Sequence, residues 1–279
     1  MSDIMIQKDE ILKMYTQKKM SILKISRVLK RSKINISKIL KNSGNLKSIS
    51  QWRKKYKFNE SYFNNIDSED KAYFLGLFFA DGNISYNRTS PLIRLTSKDR
   101  KLLEIFLKCI NSNSLIYREF HNKYKKECFK VQLTSKKMFD DLNSIGCVPR
   151  KSLILKFPSN IPKELIHHFI RGYFDGDGTV NVHSPKNSSW KRLMSGFCGT
   201  RDFLEVLTDY LPFSKKKLQL TKNLTVVVFS VQDSINLYKY MYRDSTVFLD
   251  RKHDIFYNFI KQRGSTTTIG NPSKWRVKV

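Results

Sequence analysis

Apolar residues in the first 44 positions recur at helical spacing in three short runs. Ile11, Leu12 and Tyr15 mark a first helix; Ser21 caps a second carrying Ile22, Ile25, Val28 and Leu29; Ile36, Ile39 and Leu40 mark a third that stops before Ser43 and Gly44. Three short helices with a turn near Lys30 to Ser32 fit a helix-turn-helix module over residues 1–44. Its third helix would offer Lys33, Asn35, Ser37 and Lys38 to a groove or to phosphates, although a solvated helix face explains any one of them equally well. Residues 45–66 lose the period and mix Lys47, Arg53, Lys54, Lys55 and Lys57 with Trp52, Tyr56 and Phe58. We read a basic linker there, with Arg53, Lys54 and Lys55 placed to lie along a nucleic-acid backbone.

From residue 67 the pattern is written twice. An apolar helical run ends in Asp81-Gly82, and 96 residues later another ends in Asp177-Gly178. Alternating segments follow each: "NISYN" and "LIRLT" after the first, "TVNVH" and "LMSGF" after the second. Helical periods come next ("SKDRKLLEIF", "TRDFLEVLTDYL"), then two more strand candidates in each half ("LIYREF" with "CFKVQLT", "KLQLT" with "LTVVVFSV") and a closing helix. The order αββαββα, repeated over 67–160 and 161–262, predicts an α+β fold of two similar halves about a pseudo-twofold axis. Residues 263–279 form a tail, disordered or a further backbone contact.

Charge changes the picture. The 279 residues carry 52 Lys and Arg against 24 Asp and Glu, a formal net charge of +28. In residues 1–66 alone, sixteen basic residues face only Asp3, Asp9, Glu10 and Glu60. A polyanion is the expected partner, and basic residues spread along the whole chain favour nucleic acid over a membrane surface. The N-terminus has no apolar targeting segment and no run approaches a membrane span, so a soluble intracellular protein is expected. Cys109, Cys128, Cys147 and Cys198 form no C-x-x-C pair, and neither a disulfide framework nor a zinc site is expected.

In each motif helix two small residues stand four apart, Gly76 with Ala80 and Gly172 with Gly176, on one face where a second helix can approach closely. If the two helices pack together, Asp81 and Asp177 become neighbours. A carboxylate at a helix C-terminus opposes the dipole by roughly 0.3–1 kcal/mol, and a second carboxylate adds to that. A cation between them resolves the conflict, and oxygen ligands suit Mg²⁺. Gly82 and Gly178 would supply the conformational freedom to leave the helix for a strand.

The two motifs, in this order of elements, resemble the LAGLIDADG homing endonucleases in the form that carries both motifs in one chain; the resemblance covers roughly residues 68–262. It implies that Asp81 and Asp177 are catalytic metal ligands, with the main-chain carbonyls of Ala80 and Gly176 as further ligands for two or more Mg²⁺ ions. A basic residue after each half's closing helix is implied at Lys151 and Lys252, 70 and 75 residues beyond the respective aspartates. Ser97 and Thr200 lie near the place of a water-organising polar residue. Phe79 against Asp175 and the basic Arg171 depart from the pattern; Asp175 is expected at the surface or behind the metal ligands, and Arg171 on the outer side of its helix.

The resemblance also implies a saddle-shaped antiparallel sheet set in the major groove of double-stranded DNA, a monomer, and cleavage of both strands of a long asymmetric target with short 3′ overhangs. Strand alternation then nominates Ser85, Asn87, Arg94, Lys130 and Gln132 in the first half, and Asn181, His183, Arg192, Lys217 and Gln219 in the second. A catalytically inactive DNA-binding regulator and an RNA-binding intron maturase are the alternatives. The abundance of Lys, Asn and Ile points to an AT-rich source such as a phage or mobile intron.

Overall fold

The computed structural model describes residues 2–18, 20–44, 56–87, 90–121, 126–184, 191–221 and 224–263. The linker residues 45–55, with Arg53, Lys54 and Lys55, and the tail from 264 onward lie outside the described residues. The chain divides into two compact units, Met1–Lys55 and Tyr56–Val279.

In the first unit, α1 (Ser2–Thr16), α2 (Ile22–Val28) and α3 (Lys33–Asn42) gather around Ile11, Met14, Tyr15, Ile25, Ile36 and Leu40. Ser21 and Ser32 cap α2 and α3, their hydroxyls accepting from the amides of Lys24 and Ile34; such caps are worth about 1 kcal/mol each. Between the helices Lys30 takes a positive φ of 48°, and the Ser26 hydroxyl donates to the carbonyl of Arg31 at 2.6 Å. On α3, Lys33, Asn35 and Lys38 are exposed and Ser37 is half-buried.

The second unit holds the repeat. Its first half runs α4 (Glu69–Ala80), β1 (Gly82–Asn87), β2 (Ser90–Ser97), α5 (Arg100–Cys109), β3 (Tyr117–His121), β4 (Lys126–Leu133) and α6 (Lys136–Ile145). The second runs α7 (Ile166–Asp177), β5 (Gly178–His183), β6 (Arg192–Gly199), α8 (Arg201–Asp209), β7 (Gln219–Leu220), β8 (Thr225–Phe229) and α9 (Val231–Met241), followed by α10 (Asp250–Gln262), a helix without a counterpart in the first half. Each half folds into an antiparallel four-stranded sheet, ordered β1-β2-β4-β3 and β5-β6-β8-β7. The registers match: Gly82 opposes Leu95 as Gly178 opposes Phe197, and Arg94 opposes Gln132 as Gly196 opposes Val228. Buried Ile84, Ile93, Leu95, Val131, Val180, Leu193 and Val227 turn one face of each sheet toward the helices, into a core rich in phenylalanine.

The motif helices α4 and α7 touch backbone to backbone at the centre. A Cβ placed on Gly76 would stand 2.0 Å from the carbonyl oxygen of Phe169, and one on Gly172 would stand 1.9 Å from that of Tyr73. Each of these four positions is related to another by the same 96-residue offset, so the contact is reciprocal, as a twofold relation requires.

Several sequence expectations need correction. Residues 56–66 are not a tether: Tyr62, Phe63 and Ile66 are buried in the core, and the Asn59 amide donates to the Ile110 carbonyl at 2.7 Å. Gly82 and Gly178 do not take left-handed backbone. They are small because a Cβ would meet Phe78 or Phe174 at 2.4 or 2.3 Å. Lys217 is not in a strand: it precedes one of only two residues, in a stretch where Lys215 and Lys216 pair with Asp209 and Asp233 on the neighbouring helices.

Arg171 is not on an outer face; it is fully buried. Its guanidinium donates to Glu69 Oε1 at 2.7 Å, to the Met241 and Val247 carbonyls at 2.7 and 2.9 Å, and meets His168 Nδ1 at 2.7 Å. Burial pushes the His168 pKa down to about 2, so its ring is neutral beside the cation. Glu69 also accepts from Thr246 and Val247, so the first turn of α4 binds the loop that leads into α10. Asp175 is likewise buried, its Oδ2 accepting from the Tyr73 hydroxyl at 2.7 Å and the Leu249 amide at 2.8 Å.

Gly76→Ala and Gly172→Ala should each destabilise the second unit by about 1–3 kcal/mol through backbone collision, read as a lower urea midpoint. Unchanged midpoints in both would contradict the close packing of α4 on α7.

Candidate functional site

The chain leaves α4 through Asp81, whose amide still donates to the Leu77 carbonyl at 2.8 Å, and leaves α7 through Asp177. Because the helices touch along their length, their C-terminal ends adjoin. A Cβ on Gly176 would stand 2.3 Å from that of Ala80 and 3.3 Å from the Asp81 carboxyl carbon.

Electrostatics record the proximity. The Asp177 carboxyl is pushed up to about 6, first by loss of solvent and then by the charge of Asp81. Asp81 reaches solvent, yet its carboxyl is also raised, because desolvation outweighs the pull of Lys252, Lys151, Arg251 and Lys98.

Lys151 and Lys252 take up equivalent places. Lys151 Nζ donates to the carbonyls of Ala80, at 3.2 Å, and Gly82. Lys252 Nζ donates to those of Phe174, Asp175, Gly176 and Gly178 at 2.6, 2.9, 3.4 and 2.6 Å. Ala80 and Gly82 correspond to Gly176 and Gly178, so each ammonium caps the negative end of one motif helix beside its aspartate. The two differ in setting. Lys151 is half-buried in a 3₁₀ turn (Lys151–Leu153), whereas Lys252 is buried in the first turn of α10 and desolvation pushes it down to about 8.

The donor set tests for a metal ion. Two carboxylates that repel one another in a partly desolvated site favour a divalent cation, and Mg²⁺ commonly takes one or two protein carboxylates and completes its shell with water and phosphate. Among the described residues no group of three or more His, Cys, Asp or Glu could hold a metal ion. The carbonyls of Ala80 and Gly176 already accept from lysine, which leaves each a single lone pair. The residues fit a hard cation held by Asp81 and Asp177 with an otherwise open shell.

A cavity of about 240 Å³ adjoins Asp177, lined by Ala80, Lys151, Tyr173, Cys198 and Thr200 among others. The Thr200 hydroxyl is committed to the Leu155 carbonyl and to capping α8, and it stands one residue past the register counterpart of Ser97, which is Gly199.

Ser85, Asn87, Arg94, Lys130 and Gln132 share the face of the first sheet turned away from the helices, where Arg94 Nε donates to Gln132 Oε1 at 3.2 Å and Lys130 pairs with Glu119. Asn181, His183, Arg192 and Gln219 are exposed on the matching face of the second sheet, and Lys217 lies in the loop before it. Sequence reasoning missed Glu69, whose partner Arg171 is 102 residues away, and Lys98, whose charge acts on Asp81. A basic residue inside an apolar helix was the only signal for the first.

Residues 68–145 match the family model described as a LAGLIDADG-like domain. Among solved structures, the homing endonuclease I-WcaI bound to its DNA recognition sequence aligns with a TM-score of 0.51 at 13% identity, over 77% of this chain and 96% of that one, which shows a shared fold. Two curated relatives come from Methanocaldococcus jannaschii. DNA-directed RNA polymerase subunit Rpo1C is 29% identical over 121 residues, 43% of this chain and 14% of that protein. Replication factor C small subunit is 25% identical over 178 residues, 62% of this chain and 9% of that protein. The chain therefore spans a small fraction of the curated relatives it matches. Among the described residues no helix is long and apolar enough to cross a membrane.

Replacing Lys252 by Met should destabilise the second unit by about 1–3 kcal/mol, since buried carbonyls lose their donor. Lys151→Met, at a partly solvated position, should cost less. Equal urea midpoints for the two variants would contradict the difference in setting.

Proposed function

We propose, from the match of residues 68–145 to the LAGLIDADG-like domain model and the duplicated fold of the second unit, that the chain is a site-specific DNA endonuclease making a metal-dependent double-strand break. The observation that carries the reading is the paired site: Asp81 and Asp177 at adjoining helix ends, each with its own lysine, in a chain of formal net charge +28.

Asp81 and Asp177 would hold Mg²⁺, which when bound supplies an activated water for in-line attack on the phosphodiester and neutralises charge on the leaving 3′-oxygen. The chain's own residues prepare the site for two strands. The twofold relation of α4 and α7 presents one carboxylate to each scissile phosphate. Lys151 and Lys252 keep positive charge at helix ends that would otherwise repel a polyanion, and they hold the carbonyls that orient each Asp-Gly turn. Lys98 and Arg251 add field that draws the backbone toward the aspartates.

The outer faces of the two sheets supply the base contacts, with Arg94, Gln132 and Lys130 in one half and Asn181, His183, Arg192 and Gln219 in the other. Since the halves differ in sequence, the target is asymmetric and long. In the N-terminal unit, Lys33, Asn35, Ser37 and Lys38 extend the footprint as a helix-turn-helix module, and linkage of the two units adds affinity. Arg53, Lys54 and Lys55 would add phosphate contacts.

The test is incubation of the purified full chain with a plasmid library of randomised targets, with Mg²⁺ and with EDTA, alongside Asp81→Asn and Asp177→Asn. We expect Mg²⁺-dependent double-strand ends at enriched sequences and loss of more than 100-fold of that activity in each variant (about 3 kcal/mol or more). Specific binding by wild type without cleavage would overturn the nuclease reading in favour of a regulator or an RNA-binding maturase.

A further inference from the structure

The outer faces of the two sheets, superposed through their registers, do not carry the same chemistry. Gly82 opposite Leu95 corresponds to Gly178 opposite Phe197, so Arg94 corresponds to Gly196 and Thr96 to Cys198. Arg94 opposite Gln132 corresponds to Gly196 opposite Val228, and Thr96 opposite Lys130 to Cys198 opposite Val226. The hydrogen-bonding trio Arg94, Gln132 and Lys130 of the first sheet is thus replaced in the second by Gly196, Val228 and Val226. Beside them on β6 stands Met194, opposite Asn181. Met194 is 43% and Val228 44% exposed, while their neighbours on the other sheet face are buried.

An apolar patch in the middle of a polar sheet face needs an occupant. Gly196 is glycine because a Cβ would stand 2.3 Å from the Val227 carbonyl. Gly196 itself is buried, so the exposed apolar surface of the patch comes from the Met194 and Val228 side chains on either side of it. Around the patch stand Thr179, Asn181, His183, Arg192 and Gln219, all exposed. That rim is polar and cationic, and the patch is continuous with the face already assigned to DNA. In the major groove, thymine is the natural base that presents an apolar group, its C5-methyl, while arginine and glutamine match the hydrogen-bonding edges of guanine and adenine.

Resting on the endonuclease reading, we propose that the two halves read DNA by different chemistry. The second sheet selects thymines through their C5-methyl groups, against Met194, Val226 and Val228, and the first selects purines through Arg94 and Gln132. Arg192, His183 and Asn181 then fix the register of the second half on phosphates and flanking bases.

The test uses the full chain in EDTA, so that bound duplex stays intact, and a site enriched from a randomised duplex pool. Each thymine of each half-site is replaced in turn by uracil, which differs only in lacking the methyl. We expect affinity to fall about threefold to fivefold per uracil at two or more positions of one half-site, the worth of a buried methyl, and less than twofold throughout the other. Val228→Gln, which installs the residue found at the matching place of the first sheet, should abolish uracil sensitivity in that one half-site and leave the other half's preference unchanged.

Failure to enrich any sequence would defeat the DNA reading and this proposal with it. An enriched site that is equally insensitive to uracil in both halves would overturn the thymine reading alone. If in that case Val228→Gln also abolished self-association in sedimentation, the patch would be assigned to a second copy of the chain.

Discussion

Everything chemical in the second unit depends on how closely α4 and α7 approach. Gly76 and Gly172 leave no side chain between the helices, so each backbone lies against the other's carbonyls. Two helices in such contact must end side by side, and whatever residue follows their last turn is brought to its counterpart. That residue is aspartate in both. The proximity that adds the charge of Asp81 to the desolvation already raising Asp177 is therefore a consequence of two glycines, a turn or more away in each helix.

The same contact creates the difficulty that the lysines answer. Two helix C-termini and two carboxylates in one partly desolvated place gather negative charge, and the chain supplies an ammonium to the last carbonyls of each helix. The first half reaches Lys151 through a 3₁₀ turn. The second needs α10, tied back to the core where Asp175 accepts from the Leu249 amide and Glu69 grips Thr246 and Val247. Arg171, Glu69 and Asp175 are thus the scaffold of Lys252. Asymmetry inside the repeat serves to place equivalent lysines by inequivalent routes.

Local pattern made much of this legible. The 96-residue offset between the two Asp-Gly turns, the small residues four apart, and strand alternation with Ile84, Val131 and Val180 inward are all visible in the sequence, and the structure has the same features. What stayed hidden depends on contacts distant in sequence. Arg171 looked out of place because its partners are Glu69 and two loop carbonyls beyond residue 240. Tyr62 and Phe63 sat in a basic stretch and read as linker, although the cavity that takes their rings is built by Phe78 and Phe106. The glycines of the Asp-Gly turns were credited with backbone freedom when the constraint was space beside Phe78 and Phe174. The apolar patch on the second sheet emerged only once the registers could be laid over one another.

The central claim is that Asp81 and Asp177 form one coupled site. The direct measurement is a carboxyl-carbon NMR titration of Asp177 in the full chain, without divalent ions, in wild type and in Asp81→Asn. With its neighbour's charge removed, the Asp177 midpoint should fall from near 6 toward the ordinary carboxylate range, retaining the part due to desolvation. A midpoint that does not move would mean that the two carboxylates do not feel each other, and that the adjoining helix ends do not make a single site.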